Sequence, residues 1–325
     1  MDNDNLELMH DEQDHVHENC EVINEIEEAS PRASFAGPIQ DAPGCATMVA
    51  NTLSQQCIHE VNVILEDATG SHADLLVSFD QLNVNLGSAA YPYLQPPAVA
   101  ALQRAIEDRG KTLHVNSAYR ALAQQFLLYS WWTDGTCDFQ AVAKPGASWH
   151  QAGLAIDVAD YAGWRPYLEK QSWKWFGNGD KPHFTYVGSG RVPSVTVHGK
   201  TVDVRNTATL AFQRLWNRNQ PSDQIAEDGE YGPTTRSKLM RSPANGFAIA
   251  PWDKKPRVLR LCQPMLEGSD VEKIQQALGI GADGMFGNDT KSAVQKFQEA
   301  KGLKVDGVVG PNTLKELFPE LLKNN

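Results

Sequence analysis

One eight-residue pattern occurs three times in the C-terminal third of the chain and constrains the fold more than any other feature. It reads Asp-Gly-x-apolar-Gly-x-x-Thr and occupies residues 228–235, 283–290 and 306–313. Asp-Gly favours a turn with positive φ, the second glycine lets the backbone pass closely, and a capping residue can then open a helix. A helical stretch follows each copy, so the pattern predicts a small helical module built from similar halves.

The helices of this module also have signals in the sequence. Residues 269–272 (Ser-Asp-Val-Glu) predict a capping box, and apolar residues then recur on one face as far as Leu278, before Gly279. A second helix is predicted to end near Gly302. We refer to residues 256–318 as the C-terminal module.

The C-terminal module resembles the peptidoglycan-binding domain of bacterial cell-wall hydrolases. Three segments carry most of the resemblance, and they are residues 268–271, 283–287 and 306–310. Residues 212–235 resemble one half of the same unit, with an insertion between Gln213 and Asp228. The resemblance implies peptidoglycan as a partner, although the same turns would also build a helical scaffold without a binding role.

Upstream of the repeats, the pattern predicts helices followed by short strands. The predicted helices cover residues 97–108 and 121–131, and the predicted strands cover residues 112–115, 154–158 and 183–187. Because the spacing of a regular βαβ repeat is missing, the order favours an α+β fold over a doubly wound sheet.

Two acid–histidine pairs lie in this upstream region. His150 is predicted on a loop and Asp157 in the strand that follows, while Asp180 precedes His183 at the start of another strand. Two imidazoles and one carboxylate can bind a catalytic zinc ion and leave the fourth position for water. Asp180 would then be available to take a proton from that water. The spacing alone leaves structural histidines as an alternative.

The full pattern, S-x-H-x-x-G-x-A-x-D followed by D-x-x-H-F, resembles the zinc D-alanyl-D-alanine carboxypeptidases of the VanY type. Ser117-Ala118-Tyr119-Arg120 matches the S-x-Y-R segment of that family, and the resemblance covers about residues 80–190. It implies a small α+β domain of the Hedgehog/DD-peptidase type. It further implies one catalytic Zn²⁺ bound by His150, Asp157 and His183, with Asp180 as general base.

The resemblance also implies that Arg120 meets the substrate, and Ser117 and Tyr119 are candidates for orienting it. A guanidinium group suits the free carboxylate that a carboxypeptidase must recognise, while an exposed residue at a helix start is the alternative. The sequence departs from the family pattern at two positions. Asp180 stands where many relatives have Glu, and Asn178 where some relatives have His.

The excess negative charge lies almost entirely at the N-terminus. The chain has a net charge of −11, and residues 1–31 contain eleven acidic and no basic residues. This composition predicts a disordered acidic tail without the features of a signal peptide. A neutral remainder argues against nucleic acid as a partner, and no apolar run is long enough for a membrane span.

The five cysteines are scattered and form no C-x-x-C pair. A zinc knuckle or a dithiol redox site is therefore not expected. Cys45 and Cys57 could close a small loop in an oxidising compartment, and the sequence leaves that question open.

Together these observations predict four regions. They are a tail and linker (residues 1–45), a zinc peptidase domain (46–190), a partial repeat and linker (191–255) and a peptidoglycan-binding domain (256–320). We expect D-Ala-D-Ala carboxypeptidase activity in the cell envelope or outside the cell, by an unknown export route. The alternatives are a peptidoglycan endopeptidase of the endolysin type, a non-catalytic wall-binding protein and a Hedgehog-type interaction domain.

Overall fold

The computed structural model describes residues 35–45, 50–88, 90–137 and 141–319. Its helices are α1 (Asn51–Thr69), α2 (Pro96–Arg109), α3 (Leu122–Thr133), α4 (Tyr161–Lys170), α5 (Thr207–Asn219), α6 (Pro233–Met240), α7 (Ser269–Leu278), α8 (Asn288–Lys301) and α9 (Pro311–Leu317). Its strands are β1 (Val77–Ser78), β2 (Val84–Leu86), β3 (Tyr93–Leu94), β4 (Leu113–Ser117), β5 (Ala155–Val158), β6 (Trp173–Trp175), β7 (His183–Tyr186), β8 (Ser194–Val197) and β9 (Lys200–Asp203). The predicted acidic tail, residues 1–31, lies outside the described residues, whereas most of the predicted linker, residues 35–45, lies within them.

The central feature is a five-stranded mixed sheet in the order β2-β4-β5-β7-β6. The β2–β4 pair is parallel, and every other neighbouring pair in this sheet is antiparallel. Helices α2 and α4 pack against each other, and α4 also contacts β5 and β6. This arrangement confirms the predicted α+β class, and the three helices from α7 onward confirm a helical C-terminal module.

Two hydrophobic cores are present in the described part of the chain. The larger core runs from Ile39 to Phe247 and includes the buried face of the sheet together with α1, α3 and α5. The smaller core, from Leu259 to Val309, lies within the C-terminal module. Among the described helices, none is long and apolar enough to cross a membrane.

A buried glutamine organises each half of the C-terminal module. The Nε2 atom of Gln275 donates to Asp283 Oδ1 at 2.7 Å and to Thr290 Oγ1 at 3.0 Å, and its Oε1 accepts from Gly284 N at 2.8 Å. Around Gln298, the equivalent partners are Asp306 at 2.8 Å, Thr313 at 3.2 Å and Gly307 at 2.8 Å. One amide thus satisfies the turn and joins it to two helices.

The same network recurs upstream, around Gln213 of α5. Its Nε2 donates to Asp228 Oδ1 at 2.9 Å and to Thr235 Oγ1 at 3.2 Å, and its Oε1 accepts from Gly229 N at 2.8 Å. The repeat predicted from the sequence is therefore also a repeat of side-chain contacts. This third copy differs in its longer connection between the glutamine and the turn.

The C-terminal module is joined to the larger core by polar contacts. Arg260 pairs with Asp80 at 2.5 Å, and Thr52 Oγ1 donates to Glu267 Oε2 at 3.0 Å. Gln55 of α1 accepts from the backbone N–H of Glu267 at 3.0 Å. These contacts connect α1 and the residues after β1 to the segment that leads into α7.

The helices and strands that were predicted from local signals begin and end within about two residues of the predicted bounds. One predicted feature, the capping box, is wrong. The predicted helix at 97–108 is α2, and Gly279 and Gly302 end α7 and α8 in the left-handed conformation. The predicted capping box is wrong, because Ser269 is the first residue of α7 and its Oγ accepts a hydrogen bond from Trp252 Nε1 at 3.1 Å. The preceding Gly268 occupies the N-cap position.

The structure also answers the open question about cysteines. Cys45 forms a disulfide with Cys137 across a sequence separation of 92 residues, whereas Cys57 and Cys262 are free and buried. Cys57 lies inside α1, which explains why it is not available to a partner in the loop before that helix. The covalent link ties residues preceding α1 to the segment that follows α3.

Replacing both Cys45 and Cys137 by Ser is expected to lower the free energy of unfolding by about 4 to 5 kcal/mol, because the bond closes a long loop. Urea denaturation measures this change. Peptide mapping without reduction should recover a Cys45–Cys137 cross-link from the unmodified protein. Recovery of a Cys45–Cys57 cross-link would contradict the structure.

Candidate metal centre

The pairing of β5 with β7 brings two of the predicted metal ligands together. Asp157 and His183 are direct partners in this antiparallel register, so their side chains project from the same face of the sheet. Both residues are only 9% exposed. The third predicted ligand comes from outside the sheet.

His150 lies in a short 3-10 helix, Trp149–Ala152, immediately before β5. Ser148 caps this turn, since its Oγ accepts a hydrogen bond from His150 N at 3.3 Å. Gly153 ends it at a φ of 65°, and a methyl group there would overlap the side chain of Leu76. A glycine is therefore required at this point, and the sharp turn directs the His150 ring toward β7.

The three side chains form a compact cluster. His183 Nδ1 lies 3.0 Å from Asp157 Oδ1 and 3.2 Å from His150 Nε2, and His150 Nε2 lies 3.3 Å from Asp157 Oδ1. Among the described residues, no other group of three His, Cys, Asp or Glu side chains lies this close together. A tetrahedral zinc ion with bonds of about 2.0–2.1 Å separates its ligand atoms by about 3.3 Å. The residues therefore fit a zinc ion.

The remaining nitrogen of each imidazole is held by a neighbouring oxygen. His150 Nδ1 lies 2.6 Å from the carbonyl oxygen of Ala118, and His183 Nε2 lies 3.0 Å from Thr185 Oγ1. With Nδ1–H of His150 donating to the carbonyl, its Nε2 lone pair faces the cluster. Such outer contacts orient metal-binding histidines in proteins.

Sequence reasoning missed Thr185, although a signal was present. Residues two apart in a strand lie on the same face, so a hydroxyl two positions after His183 was a candidate partner. The contact of His150 with Ala118 had no such signal, because it uses a backbone oxygen from a distant segment.

Burial and neighbouring charges control the ionisation of the cluster. Desolvation, helped by the Arg120 charge, lowers the pKa of His150 to about 4, so the imidazole is neutral and able to bind a metal at neutral pH. Burial alone would raise the pKa of Asp157, but the two imidazoles and Arg120 outweigh it and hold that pKa well below its usual range. Asp157 is therefore a carboxylate.

Arg120 lies directly behind this carboxylate. Its Nη2 donates to Asp157 Oδ2 at 2.8 Å, and its Nε donates to Ser117 Oγ at 2.9 Å. The side chain is 16% exposed, and burial lowers the pKa of its guanidinium group. Part of the guanidinium fork is thus committed to Asp157, and Ser117 supports Arg120.

Tyr119 does not reach the cluster. Its side chain is completely buried in the larger core, between the residues that lead from β4 to α3. A group without exposed surface cannot contact a substrate, so the predicted substrate contact of Tyr119 is not retained. Tyr119 instead contributes its ring to the larger core.

Asp180 lies at the open side of the cluster. Its Oδ2 is 3.9 Å from His183 Nδ1, and its side chain is 37% exposed. Partial desolvation and the neighbouring Asp157 charge raise the pKa of Asp180. Phe176 lies at the same edge, 66% exposed, with its ring edge-to-face against His183 at 5.6 Å between centroids.

Replacing Thr185 by Val should weaken zinc binding by roughly tenfold or more, because His183 loses the oxygen that holds its Nε2–H while the volume stays nearly constant. Competition with a fluorescent chelator measures the affinity. Thr196→Val, on the exposed side of β8, is the matched control and should bind zinc as the unmodified protein does. Equal affinities in all three proteins would exclude an orienting role for Thr185.

Two segments of the chain match known protein families, and both families are those that the sequence motifs resemble. Residues 94–188 match the D-alanyl-D-alanine carboxypeptidase family VanY, and this segment contains every residue of the cluster together with Arg120 and Asp180. Residues 267–317 match the peptidoglycan binding domain family. No curated protein matches the chain. The matches confirm both resemblances, and they support a carboxypeptidase-like peptidase that acts on peptidoglycan, at the cell wall or outside the cell. The chain thus joins a segment similar to the VanY carboxypeptidases to one similar to peptidoglycan-binding domains.

Proposed function

We propose that this protein is a zinc-dependent peptidase that removes the terminal D-Ala from D-Ala-D-Ala stem peptides of peptidoglycan. The observation that carries the proposal is the buried cluster of His150, Asp157 and His183, with the carboxyl group of Asp180 beside it. It lies within the segment that matches a D-alanyl-D-alanine carboxypeptidase family.

His150 Nε2, His183 Nδ1 and Asp157 Oδ1 would hold the metal. A zinc ion bound there supplies a Lewis acid for the scissile carbonyl and for the attacking water. The contacts of the two imidazoles with Ala118 and Thr185 keep their lone pairs directed at the cluster. The carboxylate of Asp157 contributes one negative charge, and its second oxygen is occupied by Arg120.

Asp180 would move the proton. As a carboxylate it accepts a proton from the attacking water, and it then delivers that proton to the amine of the leaving D-Ala. Its partial exposure supports this role, because water and a substrate can reach a carboxyl group that is not fully buried. A pKa raised by desolvation and by Asp157 strengthens Asp180 as the base that takes this proton.

The contacts of Arg120 bear on which peptide bond is the substrate, and they leave two candidates. A guanidinium group behind the cluster could bind the terminal carboxylate of the substrate, which favours carboxypeptidase activity. However, Arg120 already donates to Asp157 and Ser117, and it is largely buried. That observation favours the second candidate, an endopeptidase that cuts within stem peptides or cross-links and needs no free carboxylate.

The C-terminal module would hold the enzyme on its insoluble substrate. It matches the peptidoglycan-binding family and has its own core. A second attachment point increases the local concentration of the active site at the wall. Peptidoglycan is therefore the proposed partner of both segments.

Asp180→Asn is expected to keep one zinc per chain and to lose roughly 10²- to 10⁴-fold in turnover, because an amide cannot accept the proton. His183→Ala should lose both zinc affinity and turnover, because it removes a ligand. Metal analysis and release of D-Ala from a soluble peptide measure the two properties. A zinc-loaded Asp180→Asn protein with near-normal turnover would remove Asp180 from the mechanism.

Arg120→Ala is expected to impair hydrolysis of a peptide ending in free D-Ala-D-Ala by about ten- to a hundredfold more than hydrolysis of its C-terminal amide, because a charge-assisted hydrogen bond is lost. The ratio of kcat/KM for the two peptides is the measurement, and it cancels any common loss through Asp157. An equal loss on both peptides, together with cleavage of internal bonds, would favour the endopeptidase assignment.

A further inference from the structure

The third repeat unit, α5 to α6 (residues 207–240), lies outside both segments that match known families. It is nevertheless part of the larger core, since Leu210, Phe212 and Leu215 are completely buried there. Helix α5 packs against α1 and also contacts the 3-10 helix that carries His150. A unit that resembles half of a wall-binding module is therefore built into the fold around the metal centre.

The loop before His150 lies directly against the start of this unit. The guanidinium group of Arg205 stacks over the ring of Trp149, with 4.9 Å from its central carbon to the ring centroid. A methyl group on Gly146 would lie 2.9 Å from Asn206 Oδ1 and 3.7 Å from Cβ of Tyr231. The loop and the unit are thus packed without a gap.

The glutamine network holds the surface that the loop contacts. Gln213 fixes the turn at Asp228 and Gly229, and a methyl group on Gly229 would lie 3.3 Å from the backbone oxygen of Asn206. Gly229 of the turn and Gly146 of the loop therefore both pack against Asn206.

The supported loop in turn leads to the ligand. Gly146 donates its N–H to Oε1 of the buried Gln151 at 2.8 Å, and Gln151 is the residue after His150. A continuous series of contacts therefore runs from Gln213 through the turn, Asn206 and Gly146 to the 3-10 helix of the metal centre.

We infer that this third repeat unit, together with the turn Val204–Asn206 that leads into it, positions His150 for metal binding, with Gln213 and Arg205 as positioning residues that touch neither metal nor substrate. The inference rests on the metal site of the proposed function. It assigns to this copy of the repeat a role in the peptidase site, whereas the two C-terminal copies form a separate core.

Two glutamines with the same contacts provide the test. Gln213→Ala should raise the dissociation constant for zinc by about tenfold or more, as the loss of outer support does at other zinc sites. Gln298→Ala breaks the equivalent network in the C-terminal module and should leave that constant unchanged. The full-length proteins are titrated with zinc against a chelator of known affinity.

A second pair keeps the test decisive if Gln213→Ala does not fold. Arg205→Ala removes the stacking on Trp149 at a partly exposed position and should also weaken zinc binding. Lys301→Ala is its control, since Lys301 also holds its charge over an aromatic ring, 5.7 Å from the centroid of Phe297, but lies in the C-terminal module, where it pairs with Glu316.

Unchanged zinc affinity in Arg205→Ala and in folded Gln213→Ala would overturn the inference and leave the proposed function intact. Equal weakening in the test variants and their controls would also overturn it, since the effect would then be general. An unmodified protein that binds no zinc would instead refute the metal site itself, and the inference with it.

Discussion

The antiparallel pairing of β5 with β7 is the constraint on which the candidate metal centre depends. It sets Asp157 opposite His183, and a slip of one residue would turn one of the two side chains to the other face of the sheet. The sharp turn that ends at Gly153 then brings His150 to the same face. The contacts of Ala118, Thr185 and Arg120 then hold the three side chains in the orientation that this register sets.

Local signals in the sequence were sufficient for much of the fold and for the grouping of His150, Asp157 and His183. Helix ends at Gly279 and Gly302 depend on neighbouring residues alone, and so could be predicted closely. His150, Asp157 and His183 were predictable as a group because their motif places one of them in a turn and the other two in short strands. The fold then had only to pair the strands.

Features that depend on distant partners were not predictable in this way. Helix α1 is buried over almost its whole length, and its polar residues are satisfied from far along the chain, as with Gln56 and the backbone of Phe247 or Glu60 and Arg218. Apolar residues recur along one face of α1 at Leu53, Cys57, Val61 and Ile64, but this pattern does not indicate that its polar residues are buried as well. The Cys45–Cys137 bond and the contact between Arg120 and Asp157 likewise join segments whose proximity exists only in the folded chain.

The polar contacts between the larger core and the segment leading into α7 have a consequence for which peptide bonds a wall-bound enzyme would cleave. Arg260 with Asp80, and Glu267 with Thr52 and Gln55, tie the C-terminal module to the larger core without a free tether. A glycan strand held by the module would then lie at one set distance from the metal centre. Under the proposed function, the spacing of stem peptides along the glycan would then decide which of them can be cut before the enzyme dissociates. The length of a flexible linker would not.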